Sequence, residues 1–385
     1  MARGNSGAED ARGIGQCLEI TARCAGMRIL VTGGAGFIGS HYVRTMISGG
    51  YPGFEHAQVT VLDKLAHTGN LANLEPVAAS PRFSFVRGDI CDASLLASVV
   101  PGHHMVVNFA AEEHADRSIA AAGSFVAANV VGVHALLQTC VDAGVRRVVQ
   151  VSTDKVYGSL ASGSWAEGAR LDPISPYAAA KAGGDLLAAA YFRTHGLHVS
   201  ITRACSNYGP FQFPEKIIPL FVTNLLDGLK VPLHGDGRKV RGWVHVDDHC
   251  RGIQMVLEKG QPAGVYHIGG DAELSDAELT KALLECCGLG WDMVTPVPDR
   301  QGDDRRYSLD DSLLRRMGYA PQIPFTEGLK DAVRWYQDNR RWWEALKQAE
   351  PGSAPRTTAR GESVRAAQFV NPARRRLTAR LRKAR

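Results

Sequence analysis

From Met27 the chain alternates short apolar runs with helical stretches: MRILV, a helix opening at Phe37, VTVLD at 59–63, FSFV from 83, MVVNF from 105, VVQVS from 148 and HVSITR from 198. Alternation of this kind builds βαβ units, whose parallel strands lie in one sheet with helices on its faces. The runs lack polar alternation, as strands covered on both sides require. The order therefore predicts an α/β fold, a doubly wound Rossmann-type parallel sheet. After about Asn207 the character changes. Pro and Gly thicken in YGPFQFPEK and PLHGDGR, and one amphipathic, Trp-rich helix is expected over 328–347. The expected organisation is a leader over 1–26, a nucleotide-binding domain over 27–206, a smaller substrate-binding domain over 207–350 interleaved with the first, and a basic disordered tail over 351–385.

The first strand leads directly into Thr32-Gly33-Gly34-Ala35-Gly36-Phe37-Ile38-Gly39. Between a strand and a helix, glycines at this spacing have separate physical uses. Gly33 permits the tight turn, Gly36 lets backbone N–H groups approach a pyrophosphate, and Gly39 lets helix and strand pack closely. The helix N-terminus adds partial positive charge. Asp63 closes the second strand, 24 residues past Gly39. Its carboxylate suits a ribose 2′-hydroxyl and repels a 2′-phosphate, so the expected cofactor is NAD rather than NADP. Asp89 and Ile90, after the third strand, are placed at the adenine.

Composition narrows the partners. The net charge is +5, but residues 351–385 hold ten Arg or Lys against one acidic residue, Glu362; without that +9 the body stands at −4. A terminal basic run reads as a solvated tail rather than a face for nucleic acid. Eight cysteines show no CxxC pair and no His cluster at metal spacing, so neither a metal centre nor a disulfide framework is expected, and a reducing cytoplasm fits. The charge-free stretch 118–141 contains Asn129, Gly132, His134 and Gln138 and reads as a buried helix of a soluble protein, not a membrane span. Residues 1–26 lack a signal-peptide layout.

Chemistry gathers in a second constellation. In Ser175-Pro176-Tyr177-Ala178-Ala179-Ala180-Lys181, Ser175 caps a helix, Pro176 takes its first position, and Tyr177 and Lys181 fall one turn apart on one face. That spacing lets the ammonium lower the phenol's pKa and make it a general base for a sugar or alcohol hydroxyl. Ser152 and Thr153 end a parallel strand, where α/β folds place their chemistry.

The stretches LVTGGAGFIGSH, LDKL with GNLANL, FVRGDI, NFAAEEHADRSI, VSTDKVYG, SPYAAAK, NYGPFQFPEK and VHVDDHCRGI with YHIGG span residues 27 to about 347. They resemble the extended short-chain dehydrogenase/reductase family, and more closely its nucleotide-diphosphate-sugar 4,6-dehydratases of the dTDP-glucose type. The resemblance implies a tightly held NAD⁺ that takes hydride from a sugar C4, loss of water across C5 and C6, and return of hydride to C6. By position it makes Tyr177 the base for C4 oxidation, gives Lys181 the nicotinamide ribose, sets Thr153 on the C4 oxygen and makes Asp154 the acid for the departing C6 hydroxyl. Phe37, Ile38, Ala110 and Ala111 fall at the cofactor. Glu113, His114, Ser206, Asn207, Arg241 and Arg306 fall at the substrate, the two arginines at the diphosphate.

Departures from the pattern carry information. The family's base is a glutamate directly after the aspartate, and Lys155 stands there in this chain. A neutral amine next to Asp154 could accept the C5 proton if burial depressed its pKa, and the sugar dehydratases that invert C5 resemble this arrangement, with Asp-Lys at the same place. Glu113 occupies a serine position of the family, and an ion pair between Glu113 and Lys155 is expected. Ser206 replaces a substrate-contacting Asn, and Gly242 follows Arg241 where the family has an acid. Three functions follow: a 4,6-dehydratase with altered proton-transfer groups, an epimerase using Thr153, Tyr177 and Lys181 alone, or a non-catalytic NAD-dependent binding protein. A homodimer through paired helices at 125–144 and 181–195 is expected.

Overall fold

Every apolar run of the first half becomes a strand, and side-chain alternation shows why the inner ones are apolar on both faces; the edge strand Phe83–Arg87 instead exposes Ser84 and Arg87. In β1 (Arg28–Thr32) Ile29 and Val31 enter one core while Leu30 enters the other. The computed structural model describes residues 26–113, 115–299 and 305–348; the expected leader up to Ala25, His114 and the basic tail lie outside them. The remaining strands are β2 (Gln58–Asp63), β3 (Phe83–Arg87), β4 (Met105–Asn108), β5 (Arg147–Thr153), β6 (Val199–Ala204), β7 (Ser206–Tyr208), β8 (Val231–His234), β9 (Val240–His245), β10 (Val265–Ile268), β11 (Ala272–Ser275) and β12 (Val294–Val297).

Seven strands form one parallel sheet in the order β10-β6-β5-β4-β1-β2-β3. Strand order reverses between β1 and β4, the switch point where such sheets open a crevice at their carboxyl ends. A polar chain ties that edge, from Thr32 Oγ1 to Asn108 and from Asn108 Nδ2 to Gln150 Oε1 at 2.7 Å. Helix α1 (Phe37–Ile47) covers one face. On the other lie α2 (Ala93–Val99), α3 (Val133–Asp142) and α4 (Pro176–His195).

Beyond β6 the chain builds a second layer. It comprises α5 (Ile217–Leu226), the three-stranded sheet β11-β9-β7, the pair β12-β8, α7 (Asp276–Cys287) and α8 (Phe325–Asp338), around a core that includes Phe221, Trp243, Leu283 and Trp343. Between β9 and β11 it returns to the first layer: α6 (Val246–Lys259) packs beside α1, and β10 completes the large sheet. The expected single helix over 328–347 is instead two, α8 and α9 (Arg340–Gln348). Asn339 leaves helical geometry at φ −112°, ψ 38°, and its amide caps Trp335 O at 2.8 Å.

The charge-free stretch 118–141 is likewise not one regular helix. A short helix Ala115–Ala120 ends at Ala121 with φ −145°, and a wide π turn over Ala127–Gly132 precedes α3. Ala122–Asp142 is long and apolar enough to cross a membrane by length and composition alone, and half of its apolar window is buried against the chain.

Candidate active site

Two cavities meet at the carboxyl edge of the large sheet. The first lies over the β1–α1 turn. Gly33 has φ +68° there, and a Cβ on it would fall 2.5 Å from Ala110 N; one on Gly39 would fall 2.4 Å from Gly33 O. Gly36 caps α1 without any side-chain hydrogen bond. The first N–H groups of the helix therefore face the cavity free of side-chain caps, as an anion site requires. Asp63, 8% exposed, accepts from Ala35 N at 2.9 Å and Leu65 N at 2.7 Å, which aims the carboxylate into the same cavity. Its acidity is weakened chiefly by burial. Phe37, Ile38, Asp89, Ile90, Ala110 and Ala111 line the wall, and Tyr177 and Lys181 close the far end. A glycine-made cradle with an uncapped helix N-terminus and a buried strand-end carboxylate fits a dinucleotide with a free 2′-hydroxyl.

The second cavity continues from the first across Tyr177, Ser152 and Glu113. Its floor is the end of β5. Thr153 caps the one-turn helix Asp154–Tyr157 by accepting from Lys155 N at 3.3 Å, and its hydroxyl donates to Asp154 Oδ1 at 3.1 Å. That turn brings Asp154 and Lys155 to the cavity together with Ser206, Asn207 and Arg241 from the second layer. Burial dominates at Asp154, pushing its carboxyl up to about 6 against the charges of Lys155 and Arg241.

Ser175 begins α4 as the local sequence predicts, accepting from Ala178 N at 3.2 Å with Pro176 at the first position. The ionisation it sets up differs from expectation. Tyr177 is driven well above its ordinary value by burial and then by the Glu113 and Asp154 charges, partly countered by a hydrogen bond with Thr153. Lys181 is lowered by burial, with Asp185 and Glu113 acting the other way, and its Nζ donates to Val151 O at 2.6 Å. The helical spacing is right, but burial outweighs the expected acidifying effect of the ammonium on the phenol. Behind Lys181, Asp185 accepts from Ser152 Oγ at 3.0 Å and Arg203 Nε at 2.9 Å, and Arg203 reaches Tyr157, which meets His267 Nε2 at 2.6 Å.

Two further expectations are corrected. Glu113 pairs with Lys216, 3.7 Å away, rather than with Lys155. The Lys155 ammonium instead lies 5.9 Å from the Tyr307 ring centre, and the Arg241 guanidinium 5.0 Å from that same centre. Arg306 is not brought to either cavity wall: it donates to Glu273 at 2.8 Å and to Gly163 O at 2.7 Å. Sequence reasoning also missed wall residues. Lys64 spans Glu112 and Asp89 beside the first cavity, at 3.0 and 3.6 Å, while Lys216, Trp243 and His249 line the second. The quoted FPEK and VHVDDHC stretches held two of these as signals.

Known proteins share this architecture. The sequence pattern of the GDP-mannose 4,6 dehydratase family matches residues 30–332. A dTDP-glucose 4,6-dehydratase of Streptomyces niveus is 54% identical over 336 residues, covering 86% of this chain and 100% of that protein. The crystal structure of DesIV, a dTDP-glucose 4,6-dehydratase from Streptomyces venezuelae with NAD bound, is 60% identical, with a TM-score of 0.82 over 83% of this chain and 100% of its own. A UDP-glucose 4-epimerase from Thermotoga maritima, crystallised with UDP-glucose, reaches 0.75 at 30% identity over 82% of this chain and 100% of that one. Glycine cradle, strand-end aspartate and Tyr-Lys helix thus sit in a chain whose sequence belongs, over most of its length, to the GDP-mannose 4,6-dehydratase family.

Proposed function

We propose that this chain is an NAD-dependent nucleotide-diphosphate-sugar 4,6-dehydratase of the dTDP-glucose type, working through a 4-keto sugar with an altered proton-transfer set. The observation that carries the reading is Asp154: a buried carboxyl, pushed up to about 6, in the cavity that also holds Tyr177 and Thr153. A carboxyl poised there can hold a proton near neutral pH and give it to a leaving hydroxyl. The competing reading, an epimerase, would use Thr153, Tyr177 and Lys181 and leave that acid idle.

When bound in the glycine cradle, NAD supplies the acceptor for the C4 hydride and the hydride delivered to C6. Gly33, Gly36, Phe37, Ile38 and Gly39 would hold its pyrophosphate, Asp63 its adenosine ribose, Asp89 and Ile90 its adenine, and Ala110, Ala111 and Lys181 the nicotinamide end. Tyr177 must act as a phenolate to take the C4 hydroxyl proton, a form that burial opposes and that the positive charge of bound NAD⁺ would favour, while Thr153 bonds the same oxygen. The resulting ketone acidifies the C5 proton, and Asp154 protonates the C6 oxygen as it leaves. Lys155 stands beside Asp154 where the family has glutamate. Arg241 suits the substrate diphosphate because a guanidinium fork bonds two oxygens at once, with Ser206 and Asn207 beside it.

Exposed Val126, Val131 and Leu186 on the 122–142 stretch and α4 support a homodimer through those helices. Cytoplasmic placement fits a nucleotide-sugar substrate. The test is incubation of the purified protein with NAD⁺ and dTDP-glucose, read by mass spectrometry and alkaline absorbance. A product one water lighter is expected; an isomer of unchanged mass would replace this reading with the epimerase.

A further inference from the structure

We infer that Glu113 is the carboxylate that removes the C5 proton, with Lys155 held as an ammonium. The inference rests on the dehydratase reading and names the base within it. Four carboxyl residues line the second cavity: Glu113, Asp154, Glu215 and Asp276. Glu215 is engaged by His67 Nε2 at 2.7 Å, and Asp276 begins α7 in the second layer. Glu113 and Asp154 are the two carboxyls of this cavity whose charges reach Tyr177, the base for C4 oxidation.

Their environments are opposite. Asp154 is 4% exposed and receives the Thr153 hydroxyl. The Glu113 side chain is 42% exposed and lies 3.7 Å from the Lys216 ammonium. A pair of carboxyl groups in such different surroundings divides into acid and base: burial raises Asp154 toward the proton-donating role, and Glu113 is the carboxyl left within reach of solvent and a cation. Exposure does not leave Glu113 unplaced. The preceding residue is clamped on both backbone groups by one amide, Glu112 N to Asn129 Oδ1 at 3.1 Å and Asn129 Nδ2 to Glu112 O at 2.9 Å. Asn129 lies in the wide π turn, a feature that recurs at functional sites.

The Lys155 amine shares the Tyr307 ring with Arg241, 5.9 and 5.0 Å from its centre, and an aromatic face favours an ammonium. An ammonium has no lone pair with which to take a proton.

In the step assigned here the C5–H bond breaks and its proton goes to the Glu113 carboxylate. The released electron pair forms the C5=C6 bond of an enone, the C6–O bond breaks, and its oxygen takes the Asp154 proton and leaves as water. No oxidant is consumed, because the C4 ketone already exists.

The experiment compares wild type, Glu113→Gln and Lys155→Met with NAD⁺ and dTDP-glucose in deuterated water. Deuterium at C5, product mass and the absorbance of reduced dinucleotide are followed. Glu113→Gln is expected to lower C5 exchange and water loss by about 10²- to 10⁴-fold, the effect of a lost general base, while reduced dinucleotide accumulates. Lys155→Met, which takes a positive charge from beside Asp154, should alter the rate of water loss but keep C5 exchange within about tenfold of wild type. Undiminished exchange in Glu113→Gln, or the same block in Lys155→Met, overturns the assignment of the base alone. Wild type that neither reduces dinucleotide nor loses water overturns the dehydratase reading and this inference with it. Should Glu113→Gln fail to fold, Glu113→Asp supplies the same readout, since a withdrawn carboxylate slows exchange without changing charge.

Discussion

Replacing Asp154 by Asn should stabilise the folded protein while stopping water loss. Asp154 is 4% exposed, and burial outweighs the Lys155 and Arg241 charges and the Thr153 hydrogen bond to move its carboxyl from 3.8 to about 6. At about 1.4 kcal/mol per tenfold in proton affinity, ionising that acid inside the fold costs about 3 kcal/mol. The unfolded chain ionises the group near 3.8 and the folded chain only near 6, so folding takes up a proton between those values. Above the folded value both states are ionised and the whole penalty is present. It fades as pH falls through that window and is gone below the unfolded value. Asn is neutral throughout and keeps an oxygen for the Thr153 hydroxyl. Urea unfolding should therefore show Asp154→Asn more stable than wild type by up to about 3 kcal/mol at about pH 8, the gain shrinking to about 0.5 kcal/mol by about pH 4. A variant no more stable than wild type at the higher pH, or a gain of equal size at both, would refute the argument that burial sets this carboxyl.

Three further outcomes are expected. Asp63→Asn should narrow the preference for NAD⁺ over NADP⁺ by about tenfold or more in measured dissociation constants, because a carboxylate opposed to a 2′-phosphate has been neutralised. Gly39→Ala should abolish dinucleotide binding, followed by fluorescence titration, since its Cβ would lie 2.4 Å from Gly33 O and the phosphate turn would have to move. Leu186→Glu, at a side chain 63% exposed on α4, should shift the protein toward monomer in sedimentation without changing its circular dichroism spectrum.

The nucleotide cavity was legible because its residues come from contiguous stretches whose local geometry is dictated by residue type. Gly33 turns, Gly39 allows approach, Ser175 and Pro176 start a helix, and strand ends deliver Asp63, Asp89 and Thr153 to one edge. The opposite wall was not legible in the same way. Lys216 comes from the start of α5 and Trp243 from β9, which only closure of the second layer brings to β5, while His249 comes from α6, where the chain returns late to the first layer. Arg306 shows the converse: its position in a motif put it at the substrate, whereas Glu273 on β11 holds it elsewhere. Charge states were least legible, since spacing alone set Lys181 to acidify Tyr177, while the degree of burial that decides the matter is a property of the packed fold.

Burial also explains how the cavity tolerates Lys155. Two adjacent carboxylates repel, and that repulsion would help a buried aspartate keep its proton. A lysine at the next position does the reverse, and its charge pulls Asp154 down. The acid then depends on desolvation alone, which is why its 4% exposure matters more than any single partner. A second carboxyl of the same cavity, Glu113, is exposed and 3.7 Å from the Lys216 ammonium. Acid and base thereby come from separate segments of the chain instead of neighbouring residues. Asp154 is tuned by exclusion of water. A change that wets the β5 end, such as shortening Tyr307 over Lys155 and Arg241, acts on the acid and leaves the base untouched.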